Sequence, residues 1–133
     1  MKKYIIASII TLLSLNCHAG EWVAVGDQPE LLDVDQIEKQ LWEYLKAKSK
    51  VEFKKRDAYR YQYKYIDEAS ILINALCLQA PEGGNDPGTY PGPTTEELKI
   101  QLYQVYDGGS CFFNIEYDLK NGYFNSLYIN GRA

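Results

Sequence analysis

The sequence predicts an α+β fold: one N-terminal helix packed on a mostly antiparallel sheet of about five strands, in two layers, with one disulfide. Three observations predict it. A single stretch near the start has helical periodicity, the apolar pattern switches to period two after residue 58, and the chain carries one cysteine pair beyond its leader.

The lead 21–26 is short and apolar and reads as an edge strand, and the turn 26–29 follows it. Val34, Ile37, Leu41, Tyr44, Leu45 and Lys48 then fall at helical spacing, with Trp42 flanking the apolar side. Asp33 precedes them, and Gln36 stands three residues on, at capping-box spacing. Lys46, Lys48 and Lys50 lie where cations suit the helix dipole.

Residues 58–66 alternate: Tyr59, Tyr61, Tyr63 and Tyr65 take one face, Arg60, Gln62 and Lys64 the other. After a turn at 67–69, residues 70–78 are apolar at nearly every position, as in a strand covered on both faces. Residues 80–95 hold four of the five prolines and read as a long loop. The remainder reads as a meander of strands 98–107, 110–119 and 123–130, turning at Gly108-Gly109 and Asn121-Gly122. In that register Leu98 faces Leu119, Ile100 faces Tyr117 and Leu102 faces Ile115, while Lys99 meets Asp118. Phe124 pairs with Leu119, and Tyr128 with Ile115. One conflict follows. A plain meander puts Cys77 and Cys111 at opposite strand ends, about 27 Å apart at strand rise, whereas a disulfide needs Cα atoms within about 7 Å. A crossover through the long loop, making the second strand parallel to the third, or a large register offset, would reconcile them.

Residues 1–19 read as a cleaved secretory signal. Lys2 and Lys3 precede the uncharged run from Tyr4 to Leu15, and Ala19 stands at the cleavage site before Gly20. The apolar run is shorter than the roughly 20 residues a membrane helix needs. Acylation of Cys17 is the disfavoured alternative, because Asn16 is a poor neighbour for it. Residues 20–133 then form a single α+β domain, periplasmic or secreted. In an oxidising compartment Cys77 and Cys111 pair by default.

Without Lys2 and Lys3, 12 basic side chains face 18 acidic ones, a net charge of −6, which disfavours nucleic acid. The basic residues cluster: Lys46, Lys48, Lys50, Lys54, Lys55, Arg56, Arg60 and Lys64 stand against only Glu52 and Asp57. The cluster reads either as a solvated surface or as a docking stripe for an acidic partner. Beyond the leader there is no histidine, so the Ser-His-Asp and Cys-His constellations are absent. No phosphate loop or calcium loop is present, and no metal or cofactor is expected. Asp107-Gly108-Gly109-Ser110 reads as a turn rather than a nucleophile elbow.

The segments Ile73-Asn74-Ala75-Leu76-Cys77, Asp107-Gly108-Gly109-Ser110-Cys111-Phe112-Phe113 and Ile129-Asn130-Gly131 resemble small exported bacterial proteins of unassigned function. The resemblance covers the sheet half of the chain. It implies a shared fold and disulfide and brings no activity. The layout of helix and sheet is similar, by analogy only, to the cystatin-like group.

The expectation is therefore a small exported non-enzymatic protein that binds another macromolecule, as an inhibitor or immunity-type protein does. Its candidate binding residues are Lys54, Lys55, Arg60 and Lys64, with Tyr59, Tyr61, Tyr63 and Tyr90 as aromatic contacts. A glycan- or peptidoglycan-binding module is the alternative, and a carboxylate-based hydrolase the weaker third. If the tyrosines face the helix, Arg60, Gln62 and Lys64 share an open face, and reversing Arg60 and Lys64 to glutamate leaves the thermal midpoint nearly unchanged.

Overall fold

The computed structural model describes residues 20–77 and 92–131. The leader 1–19, Tyr90 and most of the proline-rich loop lie outside the described residues. The fold is α+β, with one main helix on an open five-stranded sheet of order β1-β2-β3-β4-β5. The strands are β1 (Trp22–Ala24), β2 (Tyr59–Asp67), β3 (Ser70–Cys77), β4 (Phe112–Asp118) and β5 (Tyr123–Ile129). β1 runs parallel to β2, and every other neighbour is antiparallel.

Helix α1 (Val34–Lys48) connects β1 to β2 and lays Ile37, Leu41 and Leu45 on the sheet. Its start differs from the expected capping box. Asp33 is left-handed (φ 57°), a conformation that Asp tolerates, and its side chain makes no capping bond. Its carbonyl instead accepts from the N–H groups of Gln36 and Ile37, both at 3.0 Å.

The tyrosine stripe faces the helix. Tyr59, Tyr61 and Tyr63 are buried and pair across β3 with Cys77, Ala75 and Ile73. Trp42 of α1 donates to the Tyr61 hydroxyl at 2.8 Å, and Trp22 stacks on the Tyr61 ring at 4.5 Å between centroids. The Tyr59 hydroxyl donates to the Ser110 carbonyl at 2.6 Å, fastening β2 to the entry of β4. Together with Phe53, Phe113 and Trp42, Tyr59 makes an aromatic cluster at one end of the helix.

The predicted strand 98–107 does not form. Thr94 and Glu97 make a capping box that opens the short helix α2 (Thr95–Leu98), and the chain continues irregularly to Gly108. Leu98 is buried, but Ile100, which a strand would have buried as well, is 73% exposed. The expected Lys99–Asp118 pair is replaced by Lys99–Glu96 at 3.0 Å. Gly108-Gly109 is not a hairpin turn either. Gly108 has φ 96°, and Gly109–Cys111 is a 3₁₀ turn that feeds β4. A Cβ on Gly108 would stand 2.6 Å from the Phe112 ring, so the position needs glycine on two counts.

With that strand removed, β3 pairs directly with β4 and no crossover is needed. Leu76 pairs with Phe112, which brings Cys77 and Cys111 together at a Cα separation of 5.2 Å in a disulfide. The bond spans 34 positions; closing a loop of that size stabilises the fold by about 3.8 kcal/mol in the chain-entropy model.

The last hairpin also shifts register. Asp118 pairs with Tyr123, leaving four residues in the loop, where the Asp118 carbonyl accepts from Gly122 N–H at 2.7 Å. The Asp118 carboxylate accepts from the Asn121 N–H at 2.8 Å and from its side chain at 3.1 Å, which holds the Asp118 carboxyl below its usual value. Phe124 therefore faces Tyr117, not Leu119. The register then slips by one residue near Ser126 (φ 58°), which moves Tyr128 from opposite Phe113 to opposite Asn114, where the sequence had placed it opposite Ile115. That slip moves Tyr128 off the buried face.

Candidate functional site

The sheet face opposite α1 carries a second, smaller core of Val23, Leu76 and Leu98, with Tyr103 and Phe112 packed against it. Side-chain amides fasten the irregular segment 98–107 across this face. Gln62 is fully buried and donates to the carbonyls of Leu98 and Gln101, each at 2.8 Å. Its own oxygen accepts from Tyr103 N–H at 2.8 Å and from the Asn74 amide at 2.9 Å. Asn74 also donates to the Tyr103 carbonyl at 3.0 Å, and Asn130 donates to the carbonyls of Val105 and Asp107. These bonds do for the segment what a ladder would do for a strand.

This segment, the strap, is fastened to Gln62 of β2 and Asn74 of β3, and its far end to Asn130 just past β5. Between it and strands β4 and β5 lies a groove of about 300 Å³. Tyr106, 90% exposed, stands on its strap side, and Tyr128, 60% exposed, on its β5 side. Leu72, Phe112, Gln104 and Asn114 also line it. Asn114 occupies the next position after Gln62 and Asn74 in one row across the sheet, with Tyr128 beyond it. No charged side chain lines the groove among the described residues.

The sequence-derived candidates fall elsewhere. Tyr59, Tyr61 and Tyr63 lie in the core under α1, closed to solvent, and burial pushes each of their hydroxyls above its usual pKa. Arg60 is not on an open face. It is 7% exposed, its Nη2 pairs with Glu21 at 2.9 Å, and its Nη1 donates to the Pro93 carbonyl. Gln62 is buried beneath the strap, so the expected open face of Arg60, Gln62 and Lys64 does not exist as one surface. Lys64 is exposed beside a wider depression of about 1110 Å³ near Gly92 and Pro93. Lys54 and Lys55 are exposed just before the opposite end of β2. Arg56 pairs with Glu38 at 2.7 Å. Tyr90 lies outside the described residues.

Glu38 is the one buried carboxylate among the described residues, and it is committed to Arg56, the Trp22 indole and the Gly20 nitrogen. No group of three or more His, Cys, Asp or Glu among the described residues is placed to hold a metal ion. No helix among them is long and apolar enough to cross a membrane.

Tyr106 and Tyr128 were legible in the sequence only as two more tyrosines, because nothing local marks the strap's path or the slip in β5. No protein-family model, no curated protein and no solved structure matches the chain.

Proposed function

We propose that the chain is an exported, non-enzymatic binding protein, and that the groove between the strap and β4–β5 takes a neutral glycan strand. The observation that carries this reading is the pairing of two exposed tyrosines with amide side chains in a groove without charge. Aromatic faces pack on the C–H faces of sugar rings, and amides exchange hydrogen bonds with hydroxyl and acetamido groups. No side-chain hydrogen bond engages Asn114 among the described residues, so its amide is available. The Lys2-Lys3 leader pattern and the Cys77–Cys111 disulfide support export.

The test is a titration of the chain from Gly20 with an N-acetylglucosamine tetramer, followed by amide NMR. Saturable shifts at Gln104, Asn114 and Tyr128 are expected, with roughly tenfold weaker binding for Tyr128→Ala, since an aromatic contact is worth about 0.5–1.5 kcal/mol beyond its area. No shift at millimolar sugar rejects the glycan. Capture of an acidic protein, weakened by salt and by reversing Lys54, Lys55 and Lys64, would instead favour a protein partner of the inhibitor or immunity type.

A further inference from the structure

Glu38 sits on the helix face that meets the sheet, 2% exposed, and its two oxygens are fully subscribed. Oε2 accepts from Arg56 Nε at 2.7 Å. Oε1 accepts from Trp22 Nε1 at 2.9 Å and from the backbone nitrogen of Gly20 at 2.7 Å. Gly20 is the residue that follows the cleavage site read from the leader. A buried carboxylate is costly unless paired, and its arginine partner is 41% exposed.

We propose that Glu38 is the receptor for the α-ammonium released when the Ala19–Gly20 bond is cut, so that processing at this one bond completes a buried ion pair. Hydrolysis adds water across the bond: hydroxide goes to the Ala19 carbonyl carbon and a proton to the Gly20 nitrogen. That nitrogen is a neutral amide with one N–H before the cut. Afterwards it is an amine that takes a second proton from solvent at neutral pH, because α-amino groups titrate near 7.7–8.0. One donor becomes three and gains a full positive charge at hydrogen-bond distance from Oε1.

The seat is shaped for this residue. A Cβ on Gly20 would stand 3.0 Å from the Tyr59 carbonyl oxygen and 3.1 Å from the Tyr61 ring. A larger first residue after the cut would therefore need the Tyr59 carbonyl or the Tyr61 ring to give by a few tenths of an ångström for its nitrogen to reach Glu38, whereas glycine fits as it stands. A cut one residue earlier or later leaves the amine out of reach, because consecutive Cα atoms are about 3.8 Å apart. This inference rests on the export reading and is independent of the groove.

The test compares three chains made with defined N-termini: one starting at Gly20 with a free amine, one N-acetylated at Gly20, and one with Ala19 retained. Urea unfolding at pH 6.5 should give an unfolding constant roughly tenfold smaller for the free amine than for the other two, between the values for exposed and buried pairs. The amine, followed by ¹⁵N NMR, should titrate above 8.0, with Glu38, Arg56, Tyr61 and the adjacent Glu21 as the charged and titratable groups around it. The added stability is then present below the unfolded-state value and lost as pH rises through the folded one. Glu38→Gln should abolish the difference between free and acetylated chains, and if that variant does not fold, the acetylation contrast still decides. Equal stability of all three chains, or an amine titrating at its ordinary value, overturns the proposal. N-terminal sequencing of exported protein tests the export reading separately: a first residue other than Gly20 overturns the processing step even if the seat binds an ammonium in vitro.

Discussion

Replacing Tyr61 with phenylalanine should make the cost of the substitution depend on pH, and the structure sets both the size and the sign. Tyr61 is fully buried, and its hydroxyl accepts from Trp42 Nε1 at 2.8 Å. At pH 7 the substitution leaves that indole N–H without its partner, a loss of about 1.5 kcal/mol within the usual range for an unsatisfied donor. Burial holds the Tyr61 hydroxyl well above its ordinary pKa, so the folded state keeps it neutral where the unfolded chain ionises. The stability tied to that neutral form is complete below pH about 10 and is lost as pH rises toward the folded value. At pH 11 the loss through one such tyrosine is about 1.4 kcal/mol. Phenylalanine escapes it. The variant is therefore less stable by about 1.5 kcal/mol at pH 7 and nearly equal to the parent at pH 11. Tyr59, Tyr63 and Tyr117 are also held neutral by burial, but they titrate in both proteins and cancel in the difference. Urea unfolding followed by tryptophan fluorescence at pH 8, 10, 10.5 and 11 measures the gap. A gap that stays constant across that range would falsify the reasoning, because it would mean that Tyr61 ionises as readily in the fold as outside it.

Two further predictions concern the other sheet face. Gln62→Leu should cost at least about 3 kcal/mol, because it strips hydrogen bonds from Leu98, Gln101, Tyr103 and Asn74 at once, and hydrogen exchange should show Tyr103 N–H losing protection; a loss below about 1 kcal/mol would mean that the strap is held by packing alone. Arg60→Glu should destabilise by about 3–5 kcal/mol by setting two carboxylates together at Glu21, whereas Lys64→Glu should stay within about 0.5 kcal/mol, and equal thermal midpoints for the two variants would show that Arg60 is not the anchor its contacts describe.

The helix and strands β2 and β3 were legible because side-chain direction follows their period: Tyr59, Tyr61 and Tyr63 lie under α1, as the alternation predicts, although Arg60 and Gln62 on the other face are buried too. The cysteine pair was legible from chemistry and compartment, and the geometric conflict around it came entirely from the false strand 98–107. Leu98, Ile100 and Leu102 imitate period two, yet Thr94 and Glu97 begin a helical turn there, and local capping won over alternation. The β5 register was misread first at the turn, where four residues rather than two separate Asp118 from Tyr123, and then at the slip near Ser126, where no glycine signals a left-handed residue. Glu38 gave no sign at all. A glutamate in a helix reads as surface until the tertiary structure supplies its partners, and those lie 16 and 18 residues away in sequence. Arg60 was misplaced for the same reason, since alternation says which face a side chain takes and nothing about what covers that face.

The amides on that face explain why the groove is where it is. Gln62, Asn74 and Asn130 each donate to backbone carbonyls of a segment that has no ladder of its own. Asn114 stands in the same row as Gln62 and Asn74, one strand farther on, and lines the groove with Tyr106 and Tyr128. The chemistry that recognises a carbonyl at three positions is thus present at a fourth, beside an exposed tyrosine, with no carbonyl among the described residues bonded to it. On the proposed reading, the half-buried Asn114 in the row that fastens the strap meets a carbonyl or hydroxyl that arrives from outside, which is what an acetamido sugar offers.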